Sequence, residues 1–128
     1  MSLNGLWKLV TENTAQTSED SADHRLRGRT YLVAYATVWD EIIAMIESRP
    51  LWKLLHADEA SGSIHAEART LVFRFVDDVR IKLKLDRDAL TRVDMWSGSR
   101  VGNADLGANR RRIARFFKDL DRRLQARR

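Results

Sequence analysis

The chain predicts an α+β fold, a two-layer sandwich in which two helices cover one face of an antiparallel sheet. Three patterns carry that expectation. Residues 79–85 alternate, with Val79, Ile81, Leu83 and Leu85 on one side and Arg80, Lys82 and Lys84 on the other, as in a strand with one covered face. Around Val38, Ile42, Met45 and Ile46, with Trp39 and Ile43 beside them, apolar residues recur at helical spacing over a face broad enough to need a sheet beneath it. Further on, Leu106, Asn109, Ile113, Phe116, Phe117, Leu120 and Leu124 fall within roughly a 100° arc of a helix, and Arg111, Arg115, Lys118 and Arg122 fall within roughly 40° opposite it. That last helix buries its apolar face and turns a basic stripe to water.

Residues 1–24 read as an N-terminal segment, partly extended or loosely ordered, because 11–24 are polar, acidic and free of Lys and Arg. Trp7 and Leu9 are candidates to anchor it. The single α+β domain is expected over 25–128. Arg29 to Val33, rich in β-branched and aromatic residues, is the first strand. Thr37 followed by Asp40 approximates a capping box, and the helix it opens ends near Ser48 because Pro50 disfavours helical backbone at Arg49. Leu51 to His56 and Ser63 to Arg69 flank a turn at Asp58-Glu59-Ala60-Ser61-Gly62; in the second strand Ile64, Ala66 and Ala68 oppose His65, Glu67 and Arg69. Asp86-Arg87-Asp88 turns the chain into Leu90 to Trp96, where Val93 and Met95 share one face and Arg92, Asp94 and Trp96 the other. The order β-α-β-β-β-β-α fits a reduced helix-grip arrangement and a TATA-binding-protein-like one equally well.

With 128 residues the chain has room for one core, and 44% hydrophobic residues are enough to fill it. The absence of cysteine excludes disulfides, thiolate catalysis and Cys-based zinc sites, and it fits a reducing compartment, so a cytoplasmic location is expected. No apolar run approaches the ~20 residues of a membrane-spanning helix, and the first residues carry neither the basic nor the apolar region of a signal peptide. The net charge of +5 is unevenly placed: residues 110–128 hold nine Lys/Arg and two Asp/Glu, whereas the other 109 hold 14 basic and 16 acidic groups. A basic end of this kind serves solubility or attracts polyanions.

Asn109 lies on the apolar side of the last helix, where an unpaired amide costs ~1–3 kcal/mol, so it is expected to bond to the loop that begins at Ser97. Gly98, Gly102 and Gly107 would allow positive φ and close backbone approach in that loop, Asn103 or Asp105 would cap the helix, and the Arg100 fork suits the carboxylate of Asp77 or Asp78. Asp77, Asp78, Ser97, Ser99, Arg100, Asp105 and Asn109 are therefore expected as one polar cluster at one end of the sheet. Such a cluster either pins the last helix to the sheet or receives an anionic group at the helix start.

No catalytic residues, metal site or cofactor are expected. Adjacent Asp77 and Asp78 point to opposite sides of a strand, and His24, His56 and His65 lack metal-ligand spacing. No phosphate-loop or dinucleotide glycine pattern is present. The charged sheet face, with Arg69, Arg80, Lys82, Lys84, Arg92 and Trp96, reads as solvated; one aromatic is not a stacking platform for a nucleic-acid strand.

Phe75-Val76-Asp77-Asp78-Val79 and Ser97-Gly98-Ser99-Arg100-Val101-Gly102-Asn103-Ala104-Asp105-Leu106-Gly107-Ala108-Asn109 together resemble the family catalogued as domain of unknown function 1499. The family pattern, F-x-D-D-V then S-x-S-R-x-G-x-x-D-x-G-x-N, is matched at every letter, and the likeness runs from about Arg25 to Leu124. One place departs, since the family usually carries Arg where this chain has Trp96. The resemblance implies a fold and a site, with no established reaction, and its polar, loop-borne matches favour a functional role for the cluster.

Two functions follow as expectations. The first is a non-catalytic domain that binds a small ligand at the Ser97–Asn109 end or in an apolar interior; four Trp and four Phe would line such a pocket or simply fill a core. The alternative is an interaction module that uses Arg111, Arg115, Lys118 and Arg122 to meet an acidic protein, an anionic membrane surface or nucleic acid.

Overall fold

Alternation along residues 63–99 is realised as a wide antiparallel sheet. The computed structural model describes residues 14–18, 21–71, 75–100 and 107–125. Its elements are β1 (Thr14–Gln16), β2 (Arg29–Tyr31), α1 (Tyr35–Ser48), β3 (Trp52–Asp58), β4 (Ser63–Arg69), β5 (Val76–Leu85), β6 (Thr91–Ser99) and α2 (Ala108–Gln125), with a 3-10 turn at His24–Leu26. The six strands run in the spatial order β3-β4-β5-β6, and β1 and β2 share the far edge of β6. Both helices pack on one face, so the fold is the expected α+β sandwich. Among the described residues no helix is long and apolar enough to cross a membrane.

The core is the inner side of that alternation. Ile64, Ala66, Ala68, Val79, Ile81, Leu83, Val93 and Met95 face the helices and are buried. From above, α1 contributes Val38, Trp39, Ile42, Met45 and Ile46, and α2 contributes Ile113, Phe116, Phe117, Leu120 and Leu124. Leu106 lies outside the described residues. Each buried Phe or Leu adds roughly 1.5–3 kcal/mol of transfer free energy, so the interior is held mainly by apolar burial. Arg49 fastens the helix pair: it accepts the extended backbone that Pro50 imposes (ψ 116°), and its guanidinium lies 4.9 Å from the Trp52 ring centroid beside Asp119.

Three expectations need correction. Thr37 and Asp40 form no capping box, because α1 starts earlier, at Tyr35; its N-cap Ala34 makes no side-chain cap bond. Tertiary contact sets that start: Tyr35 stacks on Trp39 at 6.4 Å and its hydroxyl donates to the Glu59 carbonyl. Leu85 stands 57% exposed although it continues the inward alternation, since β5 runs past the cover of the helices. The strand predicted over Leu51–His56 extends to Asp58, with an irregular register between Leu54 and His56 that leaves Leu55 exposed. Within the N-terminal segment, read as partly extended or loosely ordered, residues 14–16 form a strand. Thr17 explains it, donating through Oγ1 to Asp94 and accepting there from the Met95 N–H. Trp7 and Leu9 lie outside the described residues.

Candidate functional site

β6 and the first residues of β5 carry the polar residues singled out above, and strand geometry divides them. Successive side chains of a strand point to opposite faces. Asp77 pairs with Ser99 and Asp78 with Gly98, so Asp77, Ser97 and Ser99 turn inward beneath α2, and Asp78 turns outward. The expected single cluster is two networks, back to back across the sheet.

The inner network joins four of these side chains and one more. Asn109 is fully buried: its Oδ1 accepts from Ser97 Oγ at 2.6 Å and from Arg112 Nη1 at 2.7 Å, and its Nδ2 donates to Ser99 Oγ at 3.0 Å. Arg112 Nη1 also reaches Ser97 Oγ at 3.1 Å and stands 2.8 Å from Asp77 Oδ2. That carboxylate oxygen has no directed hydrogen bond among the described residues despite the short contact, so charge holds it. Arg112 is the member sequence reasoning missed. It sits on the flank of the apolar arc, three residues after Asn109, and the run Arg110-Arg111-Arg112 disguised one inward arginine as part of a surface charge cluster.

On the outer face, Arg100 grips Asp78 with both arms, Nε to Oδ2 at 3.0 Å and Nη2 to Oδ1 at 2.7 Å, and reaches Glu67 at 2.7 Å. His65 Nε2 approaches the same Asp78 oxygen at 3.0 Å. Arg100 therefore chooses Asp78 over Asp77. The Arg100 fork, aided by His65 and opposed by partial burial, lowers the Asp78 carboxyl from 3.8 to about 2. A depressed folded-state pKa means that the pair stabilises fully above about 4 and fades as pH falls toward about 2. In Arg100→Gln the carboxyl should titrate nearer its ordinary value, a shift that carbon-detected NMR of Asp78 would read; an unmoved titration would remove Arg100 as its cause.

Gly98 separates the two networks, and of the two uses expected of it, positive φ and close approach, it serves the second. It does not have positive φ; Gly107 does, at 83°. A Cβ on Gly98 would lie 2.5 Å and 2.6 Å from Trp96 Cη2 and Cζ2, so the indole lies directly against the bare strand. Gly98→Ala should displace the ring and cost about 1–3 kcal/mol, the range for overpacking, with Trp96→Ala in the same chain restoring most of the loss. Equal melting of Gly98→Ala and the parent would contradict this. Gly102, Asn103 and Asp105 lie outside the described residues.

Beside that indole a groove of about 450 Å³ crosses the face of the sheet opposite the helices. Its centre is one cross-strand row given by the register: Gln16, Trp96, Arg80, His65 and His56, from β1, β6, β5, β4 and β3. Lys82 lines the next row. The Arg80 guanidinium stands 5.9 Å from the Trp96 ring centroid. No group of three or more His, Cys, Asp or Glu able to hold a metal occurs among the described residues.

Fold and site together define a two-layer α+β domain with a polar tether inside and a basic groove outside. The chain belongs to the family described as protein of unknown function (DUF1499), whose model matches residues 8–120. No curated protein and no solved structure matches it.

Proposed function

We propose that this domain is a non-catalytic binding module for a small anion, received in the groove beside the Asp78–Arg100 pair. One observation carries the reading, the uneven pairing of charge around the groove. The bordering carboxylates pair with arginines outside it, Glu67 and Asp78 sharing Arg100 and Asp94 taking Arg92, which leaves one negative charge against the two positive charges of Arg80 and Lys82. Arg80 and Lys82 have no carboxylate partner among the described residues; Lys82 donates only to Ser61 and Ser63. A concave surface with unbalanced positive charge attracts anions. The volume also lies within the range of small-molecule sites, roughly 300–1,000 Å³. The inner network argues against the expected site at Ser97 and Asn109, since those groups already bond to one another. Native mass spectrometry of the freshly purified protein tests the reading. A small molecule lost on denaturation, and absent from Arg80→Gln, is expected; a bare chain in both would contradict it.

One observation favours a second reading, an interaction surface along α2. The helix turns its acids toward the body, Asp119 to Arg49 and Asp121 to Tyr31 and Arg29, while Arg111, Arg115, Lys118 and Arg122 are exposed. Exchanging those four for Gln should barely move the melting curve, within about 0.5 kcal/mol per site, and should abolish binding to heparin or anionic vesicles if this surface is used. Polyanion binding that survives the exchange and high salt would rule the surface out.

A further inference from the structure

We infer that the ligand of the groove is a planar aromatic phosphate of mononucleotide size, its ring laid on Trp96 and its phosphate held by Arg80 with His65 and Lys82 alongside. The inference rests on the reading of the groove as the binding site and names what it takes. The cross-strand row supplies the parts in sequence along one line. Gln16 is exposed and has no side-chain partner among the described residues, and its amide offers both donor and acceptor to the polar edge of a ring. Next to it stands Trp96, half-buried and seated on Gly98, an aromatic surface whose position the strand fixes. Arg80 follows, exposed and without an ion pair among the described residues, a planar fork matched to phosphate oxygens. Two imidazoles, His65 and His56, complete the row.

Neighbouring strands lie ≈ 4.8 Å apart, so the distance from indole to guanidinium suits a ring and a phosphate joined through a short linker. The chemistry excludes other classes. A neutral sugar would leave Arg80 and Lys82 uncompensated, and no aliphatic side chain stands in the row to receive an acyl chain. A nucleic-acid strand needs successive stacking surfaces, whereas the row holds a single indole, and its imidazoles lie beyond Arg80 with His65 tied to Asp78. The Arg80 guanidinium stands over the indole at 5.9 Å from the centroid, so a ring laid on Trp96 requires this exposed side chain to swing aside toward the phosphate.

Calorimetry with the intact protein tests this, using adenosine and uridine 5′-monophosphates, adenosine, and inorganic phosphate as separate probes. A monophosphate should bind at least about tenfold more tightly than either adenosine or phosphate alone. Trp96→Leu should weaken it by roughly five- to a hundredfold, the span measured for losing one stacked base, while leaving phosphate binding unchanged. Arg80→Gln should remove phosphate and monophosphate binding together, without shifting the melting temperature of this exposed site. Equal affinity for phosphate and monophosphate, or indifference to Trp96→Leu, would overturn the aromatic half; indifference to Arg80→Gln would overturn the phosphate half. If the monophosphates fail but an Arg80-dependent molecule lacking ring or phosphate co-purifies, the ligand class is wrong and the groove stands as the site. If no ligand of any kind depends on Arg80, both fall.

Discussion

Arg112→Ala should lower the stability of the domain more than any other single change to its polar residues. Asp77 is 1% exposed, and its only charge partner among the described residues is Arg112, itself 8% exposed. Removing one member of a buried pair leaves an uncompensated charge, which costs about 3–5 kcal/mol. The same guanidinium bonds Ser97 and Asn109, so their oxygens lose a donor as well. In a chain of this size, that loss corresponds to a fall in melting temperature of about 10–25 °C. Asp77→Asn in the Arg112→Ala background should recover part of it, because the stranded charge is then gone, and a double-mutant cycle measures the coupling. By contrast Arg100→Ala breaks a pair whose arginine side chain is 45% exposed, and solvent screening keeps its effect far smaller. Similar melting temperatures for the two variants would contradict the division into a buried tether and an exposed pair.

Gly62→Ala should be the most damaging backbone substitution. Gly62 closes the β3–β4 turn at φ +75°, and an added Cβ would stand 2.0 Å from the Leu83 carbonyl oxygen. That carbonyl belongs to β5, two residues before its end, where the Leu83 side chain is buried, and the Leu83 N–H donates to Gly62 at 2.8 Å. The strand cannot retreat without breaking the bond it makes. Left-handed backbone alone costs about 1–2 kcal/mol and overpacking about 1–3 more, so a loss of about 3 kcal/mol or above is expected in urea denaturation. Gly107→Ala is the control. It shares a positive φ of 83°, but among the described residues the nearest atom is the tip of the Arg111 side chain at 3.1 Å, which can move aside. Its loss should stay near the conformational part, about 1–2 kcal/mol. Equal losses at the two glycines would show that Leu83 yields.

How much of this was legible in the sequence depends on which property a residue expresses. Alternation at Val79, Ile81 and Leu83 and helical phase at Ile113, Phe116 and Leu120 are short-range patterns, and both layers follow from them. The burial of Asn109 was legible for the same reason. The fate of Arg112 was not, because three consecutive arginines have equal composition and only the helix phase, read at the edge of its arc, distinguishes the inward one. β1 was hidden by polarity: only Ala15 of its three residues is buried, and the strand is held by backbone pairing to β6 and by Thr17. Asp77 and Asp78 were read correctly as pointing apart, yet they were grouped with Ser97 and Arg100 by position along the chain. Proximity in sequence does not specify a face. The groove was equally hidden, since its row joins five strands whose register no local pattern reveals.

The central claim is that Ser97 to Arg100 serve both faces of the sheet, a polar tether within and the border of a ligand groove without. Amide and side-chain NMR of the protein titrated with adenosine 5′-monophosphate tests it most directly. The account predicts shifts concentrated at Gln16, His56, His65, Arg80 and the Trp96 indole, with Asn109 and Arg112 unmoved. Shifts centred on Asn109 and Arg112, or along Arg111, Arg115, Lys118 and Arg122, would contradict it.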